Sequence, residues 1–484
     1  MKRRDFLTGA AALTLSPELA HAAAGALAAA DFGIVTGDLD GDIAPRPMRL
    51  VQGKPPADLA GTLYRNGPAR FRRPGRSVTH WFDGDGLVRK FSVGGGQASL
   101  AARFVDTPKR RADIAANAMI GGGFGTESAP GAAMASPDDV NAANTSVIAR
   151  GNELWALWEA GSPFAIDPDT LETRGPRTLG PDLEHMPFLA HPRFEPDGRL
   201  WNLGQLGDRA VVWHLAPSGA LLSATPLPLP RASYTHDFTM TAKHLIVVLQ
   251  PWIYDGVTAN PVATLRWRPE MGTRILVIDK DDLTRRRIYE LPALFFFHMA
   301  SAWIELDGAI AFDICLNDSP AFAIQGAADI LRGVYRNDGD PTSLALIRLM
   351  PDGRATLDRT GIGAEFPRID QRFTGQPRSM TLHAAAKAPE RPMFQGVATY
   401  DWRSRTASAY DFGADHVVEE MVFVPRPGAS EEMDGWAIGP TLNLRERATE
   451  LHVFDTRRIA EGPVCTWRTD VSLPMAFHGF FRGA

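Results

Sequence analysis

The sequence predicts an all-β closed architecture, a β-propeller or a large barrel, and three observations carry that expectation. Short apolar runs rich in Val, Ile and aromatic residues recur through most of the chain, among them Leu154–Trp158, Leu245–Leu249, Ile275–Ile278, Ala309–Leu316, Leu344–Leu349, Val422–Val424 and Leu451–Phe454. Their length and composition favour strand over helix. Tight-turn chemistry separates them: Pro196-Asp-Gly198, Pro351-Asp-Gly353 and Asp83-Gly-Asp-Gly86 read as hairpin signals. An apolar residue followed by Asp and a turn also repeats, at Ile166-Asp167, Ile278-Asp279 and Phe454-Asp455. Many antiparallel hairpins spread over more than 400 residues call for a ring or a barrel.

The N-terminus stands apart from this pattern. Lys2-Arg3-Arg4-Asp5-Phe6-Leu7 is a twin-arginine pattern, followed by a weakly apolar run and a small-residue site at Ala20-His21-Ala22. Residues 1–22 are therefore expected to be a signal peptide, 23–44 a linker and 45–484 a single propeller domain. Export of a folded protein to the periplasm is the expectation, with a cytoplasmic location the alternative. No other segment approaches 18 consecutive apolar residues, which argues against a membrane span. A net charge of −5 gives no basic excess for nucleic acid. Cys315 and Cys465, the only two cysteines, cannot form a disulfide framework or a thiolate metal site. Helices are expected only at Arg111–Met119 and Pro320–Tyr335. The Gly-rich run Gly121–Gly125 follows no strand and lacks the Lys and Ser of a phosphate cradle.

Four of the twelve histidines sit in apolar settings: His191 in Phe188–Pro192, His236 in Tyr234–Phe238, His298 in Phe295–Met299 and His478 in the aromatic C-terminal run Pro474–Ala484. An apolar terminus is expected to enter the fold rather than fray from it. A lone histidine in such a setting is most often a satisfied core residue. As a set, these four are spaced too widely for a local zinc loop or a helical pair, and meet only if separate strands point at a shared axis. Imidazole ligands suit Fe, Zn, Cu or Ni. Metal-bound histidines donate their other N–H to an outer acceptor, often a carboxylate. Glu159, Glu365 and Glu420 occupy apolar strand contexts and are candidates for that role, with a salt bridge to a nearby Arg as the alternative for each. Phe297, Trp303 and Phe477 are candidate walls of a substrate tunnel. His80, His383 and His452 read as surface or packing positions.

With these residues in view, His191-Pro192, His236-Asp-Phe238, Phe297-His298 and Phe477-His478-Gly479 resemble the four iron-ligand motifs of the carotenoid cleavage oxygenase family. That family also holds the lignostilbene dioxygenases and the retinal-epithelium isomerase. Gly61–Pro68, His80–Gly86, Glu365-Phe-Pro-Arg368 and Phe423–Gly428 are similar to further fingerprints of the family, and the match spans roughly residues 45–482.

The resemblance implies a seven-bladed propeller with a helix and loop dome. It further implies one Fe(II) per subunit on His191, His236, His298 and His478, oriented by Glu159, Glu365 and Glu420. The partners implied are an apolar alkene and O2, which react to give two carbonyl products. The apolar loops at Ala115–Ala135 and the Pro320–Tyr335 segment are expected to form an entry that dips into a membrane surface. The chain departs from the family at Ser301–Glu305. In the lignostilbene branch a Lys and a Tyr grip a phenol; Val140 stands at the Lys position here, and no Tyr lies between Tyr64 and Tyr234. That inclines the substrate toward carotenoids. Two other readings keep the same scaffold: redox-neutral isomerisation or hydrolysis on the same iron, and an exported propeller that carries a polyene without turnover.

Overall fold

A computed structural model describes residues 32–484 other than 133, 257–259, 335–341 and 387–392. The expected signal peptide and the first part of the expected linker, residues 23–31, lie outside the described residues. Among the described residues the strands form three four-stranded sheets, a two-stranded hairpin, a seven-stranded sheet and a ten-stranded sheet. Two long strands explain the larger sheets. Ala355–Arg368 pairs first with Ser343–Leu349 and then, past an irregularity, with Met380–Ala386. Ile43–Gly53 likewise pairs along one half with Gln97–Phe104 and along the other with Cys465–Arg468. Each of the larger sheets is thus two smaller sheets joined through one shared long strand.

The ring is closed by both ends of the chain. His478–Gly483 pairs with Gly61–Arg70, from Asn66 opposite His478 to Gly61 opposite Gly483. The aromatic tail is thus an inner strand rather than a free end, with Phe477 and His478 buried. The pairing covers the edge that Gly61–Arg70 would otherwise expose. Apolar side chains fill the spaces between neighbouring sheets: Ile246, Val248 and Ile275 of one meet Phe296, Ile314 and Ile347 of the next.

The Asp turns form as the sequence suggests. Asp167 accepts from Asp169 N and Thr170 N, Asp279 from Asp281 N and Asp282 N, and Asp455 from Arg457 N. Gly198 and Gly353 adopt positive φ, as their hairpins require. Asp83–Gly86 is different: it is no hairpin but a short helical turn, Trp81–Asp83, entering the strand Asp85–Gly94. Its carboxylate is used elsewhere, accepting Phe124 N–H and Gly125 N–H and so tying the Gly-rich loop down.

The helix expected at Arg111–Met119 runs instead over Pro108–Ala115. Thr107 caps it and Pro108 occupies its first turn, while positive φ at Asn117 ends it. In the other predicted region a π turn, Phe322–Gly326, continues into Ala327–Leu331, and Tyr335 lies outside the described residues.

Candidate metal centre

Each of the four histidines is carried on or just ahead of a strand at the edge of its sheet. His191 precedes Arg193–Phe194, His236 precedes Thr239–Met240, His298 lies within Phe295–Ile304 and His478 begins the last strand. Close approach of that last strand depends on Gly479, where a Cβ would fall 2.0 Å from Tyr64 O. One nitrogen from each imidazole lies within 4.8 Å of the others. His191 Nε2 is 3.0 Å from His236 Nε2, which is 3.2 Å from His298 Nε2.

The outer nitrogens explain why these contacts fit a cation. His298 Nδ1–H donates to Glu365 Oε2 at 2.5 Å and His478 Nδ1–H to Glu420 Oε1 at 2.9 Å. His236 Nδ1–H donates to Glu159 in the same way. With the proton held on Nδ1, each Nε2 presents a lone pair. Lone pairs facing one another across about 3 Å repel, and a shared positive ion resolves the clash. Burial and its imidazole neighbours drive His191 well down, and burial drives His478 to about 3 against the pull of Glu420. His236 is raised, because the Glu159 carboxylate outweighs burial. His191 has no carboxylate partner among the described residues.

The three carboxylates are held unequally. Glu420 accepts from Arg65 Nη1 at 2.5 Å, Arg368 Nε at 2.7 Å and Gly479 N at 3.0 Å. These charges keep its carboxyl well below the usual range against the cost of burial. Glu365 accepts Phe366 N–H at 2.5 Å, at a bulge where Phe366 takes φ +53. Glu159 accepts the Tyr234 hydroxyl at 2.8 Å.

A further clamp fixes three of the histidine-bearing segments. Arg193 Nη2 contacts both Asp237 oxygens at 2.6 and 2.7 Å, while Arg193 also donates to Phe238 O, Met299 O and Ala300 O. Asp237 Oδ2 accepts Met299 N–H at 2.8 Å. Arg193 lies two residues after His191 and Asp237 one after His236. Arg193 did not stand out in the sequence, and Asp237 entered there only as the middle of the motif His236-Asp-Phe238.

A cavity of about 810 Å³ opens at the imidazoles, with Phe82, Phe124, Phe297, Phe366 and Phe477 in its walls. Of the three expected wall residues, Phe297 and Phe477 are in this lining and Trp303 is not. It sits five residues along the strand from His298, buried beneath the Arg378 guanidinium at 4.8 Å and away from the cavity lining.

These features define a propeller-type all-β fold with a buried four-histidine centre at the end of an apolar cavity. Residues 40–483 match the family described as RPE65, retinal pigment epithelial membrane protein, and the chain belongs to that family. It is 30% identical to the apocarotenoid-15,15'-oxygenase of Synechocystis sp., over 89% of this chain and 91% of the relative. It is 27% identical to a carotenoid 9,10(9',10')-cleavage dioxygenase of Pisum sativum, over 92% and 89%. Among solved structures, cobalt-substituted Synechocystis ACO superposes with a TM-score of 0.86 at 26% identity, covering 94% of this chain and 99% of that one. The protein is an oxygenase-type enzyme.

Proposed function

We propose that the protein is a non-haem Fe(II) dioxygenase. It cleaves a carbon–carbon double bond of an apolar carotenoid, apocarotenoid or stilbene-like substrate, giving two carbonyl products. The observation that carries this reading is the convergence of four imidazoles, three backed by carboxylates, on one end of an apolar cavity. His191, His236, His298 and His478 are the ligands, and Glu159, Glu365 and Glu420 orient three of them. A neutral imidazole set suits Fe(II), which would supply the redox chemistry that O2 requires. The chain's own contribution is positional. Phe297, Phe366 and Phe477 hold the alkene beside the imidazoles and keep water out, and the glutamates fix the ring planes. The reading draws further support from the relatives, which are named as oxygenases of carotenoid and apocarotenoid substrates.

The test is to load the protein with Fe(II), offer polyenes and stilbenes under 18O2, and identify the aldehydes by mass spectrometry. Label in both products is expected. Turnover without label would mean redox-neutral chemistry, and tight binding without turnover would leave a carrier.

Residues 45–484 are proposed to form a single domain, on the strength of the closure between the last strand and Gly61–Arg70. Export to the periplasm with removal of residues 1–22 is proposed from the twin-arginine pattern, and the mass of the cellular protein tests it. Met134 and Leu206, exposed apolar residues at the cavity lining, are proposed to touch a membrane surface. Liposome co-sedimentation lost in a double Met134→Ser, Leu206→Ser variant is the expected outcome.

A further inference from the structure

On the Glu159 side, the cavity wall is built from aromatic residues whose backbones are pinned. A hairpin pairs Trp252 with Trp267 and Tyr254 with Leu265. Tyr254 N–H donates to Ala232 O at 2.9 Å, and Tyr234 N–H to Trp252 O at 2.8 Å. Strand alternation turns Trp252 and Tyr254 to one face. Trp252 fills that face by packing on Tyr234 and Phe295, with ring centroids 5.0 and 5.5 Å away. Tyr254 lines the cavity itself, its ring 6.5 Å from that of Tyr234.

The two phenols differ in what they do with their protons. Tyr234 gives its hydrogen bond to Glu159. The Tyr254 hydroxyl has no hydrogen-bond partner among the described residues, although its ring lies against an apolar cluster of Phe124, Trp252, Phe295 and Phe297. Burial, helped by the Glu159 charge, raises its ionisation well above the ordinary phenol range, so it stays a donor. Tyr254 is half-buried and lines the open cavity, so a molecule entering there meets a donor that no protein group occupies. The Glu159 carboxylate nearby also makes the region hostile to an anionic ligand. The complement is a neutral oxygen acceptor attached to an otherwise apolar molecule.

We propose that Tyr254 is a specificity-determining residue whose hydroxyl donates to a neutral oxygen on the alkene substrate, a carbonyl or a phenolic hydroxyl, and so selects oxygenated alkenes over hydrocarbons. This rests on the cavity being the alkene site proposed above. It also supplies a polar grip in a cavity where Val140 is one of the lining residues and offers none.

The test compares wild type with Tyr254→Phe, which removes one oxygen and keeps the ring. Binding is measured by tryptophan quenching on metal-free protein with two pairs that differ in a single oxygen function: 4-hydroxybibenzyl against bibenzyl, which have no alkene to cleave, and a polyene aldehyde against the polyene hydrocarbon of equal length. Wild type is expected to favour the oxygenated member of at least one pair, and that pair identifies the source of the oxygen. In the variant the preference should shrink about 5- to 20-fold, and in the Fe(II)-loaded enzyme the loss should fall on KM rather than kcat. A wild type without preference in either pair, or a preference that survives in Tyr254→Phe, would overturn the assignment. If the binding preference behaves as expected while the loaded wild type cleaves no alkene, the dioxygenase reading fails and the role of Tyr254 stands.

Discussion

Arg65 and Glu420, 355 residues apart in sequence, form an ion pair at 2.5 Å with both side chains closed to solvent. Arg65 Nη2 also donates to Phe477 O at 2.9 Å, so one guanidinium braces both the carboxylate behind His478 and the backbone just before it. Removing one member of a buried pair strands the other. Arg65→Met is therefore expected to cost roughly 3–5 kcal/mol of stability, read from denaturant midpoints, and to weaken metal retention at the same time. A stable variant with unchanged metal content would reduce Arg65 to a packing residue.

His236→Ala and His478→Ala should each abolish metal retention, measured as bound iron per chain after gel filtration, together with O2 uptake. Full activity in either variant would end the four-histidine assignment. Glu159→Gln should be milder, about 10- to 100-fold in metal affinity, because the amide keeps the shape but accepts the imidazole proton less strongly.

Asp237→Asn tests the clamp. The amide fits the same space but leaves Arg193 without its charge partner, beside three histidine-bearing segments. The expected result is a protein with wild-type circular dichroism in which metal affinity has fallen. Equal affinity in variant and wild type would show that the Arg193 contacts to backbone carbonyls suffice.

Acid stability should depend on two residues far from the imidazoles. Burial lowers His452 to about 3, while its two nitrogens contact the Thr441 and Thr466 hydroxyls at 2.9 Å. Its folded value lies below the ordinary 6.5, so the unfolded chain takes up the proton first. Stability is thus complete above about pH 6.5 and falls as pH drops from there toward 3, by up to about 1.4 kcal/mol per pH unit. Glu450 opposes its own burial through His416, His452 and Arg468 and is held at about 2. Its contribution is present above about pH 4.5 and fades toward 2. His452→Gln should make the first slope shallower, with His383, which burial lowers to about 4, still contributing, and should weaken the second, because His452 helps to hold Glu450 down. Parallel curves for variant and wild type would disprove the assignment.

Much of the centre was legible because its chemistry is local in sequence. Each histidine lies in an apolar run that marks an inner strand, and each of the three glutamates stands in or beside such a run. Which glutamate serves which histidine was not legible, because Glu159–His236, Glu365–His298 and Glu420–His478 join positions 77, 67 and 58 residues apart. The same holds for Arg65, Arg368 and Arg193, whose identity as charged residues says nothing about burial. Trp303 shows the opposite error. Nearness to His298 along a strand suggested a shared cavity, but the strand's irregular pairing and the cation above the indole send it elsewhere. Helix ends moved for local reasons, a Thr cap and a positive φ, that periodicity does not register.

The place of His478 in the closing strand couples two assembly events. The strand His478–Gly483 brings the fourth imidazole to the other three only when it pairs with Gly61–Arg70. Latching the circle and completing the nitrogen quartet are therefore one event, and a substitution that loosens this strand is felt at both.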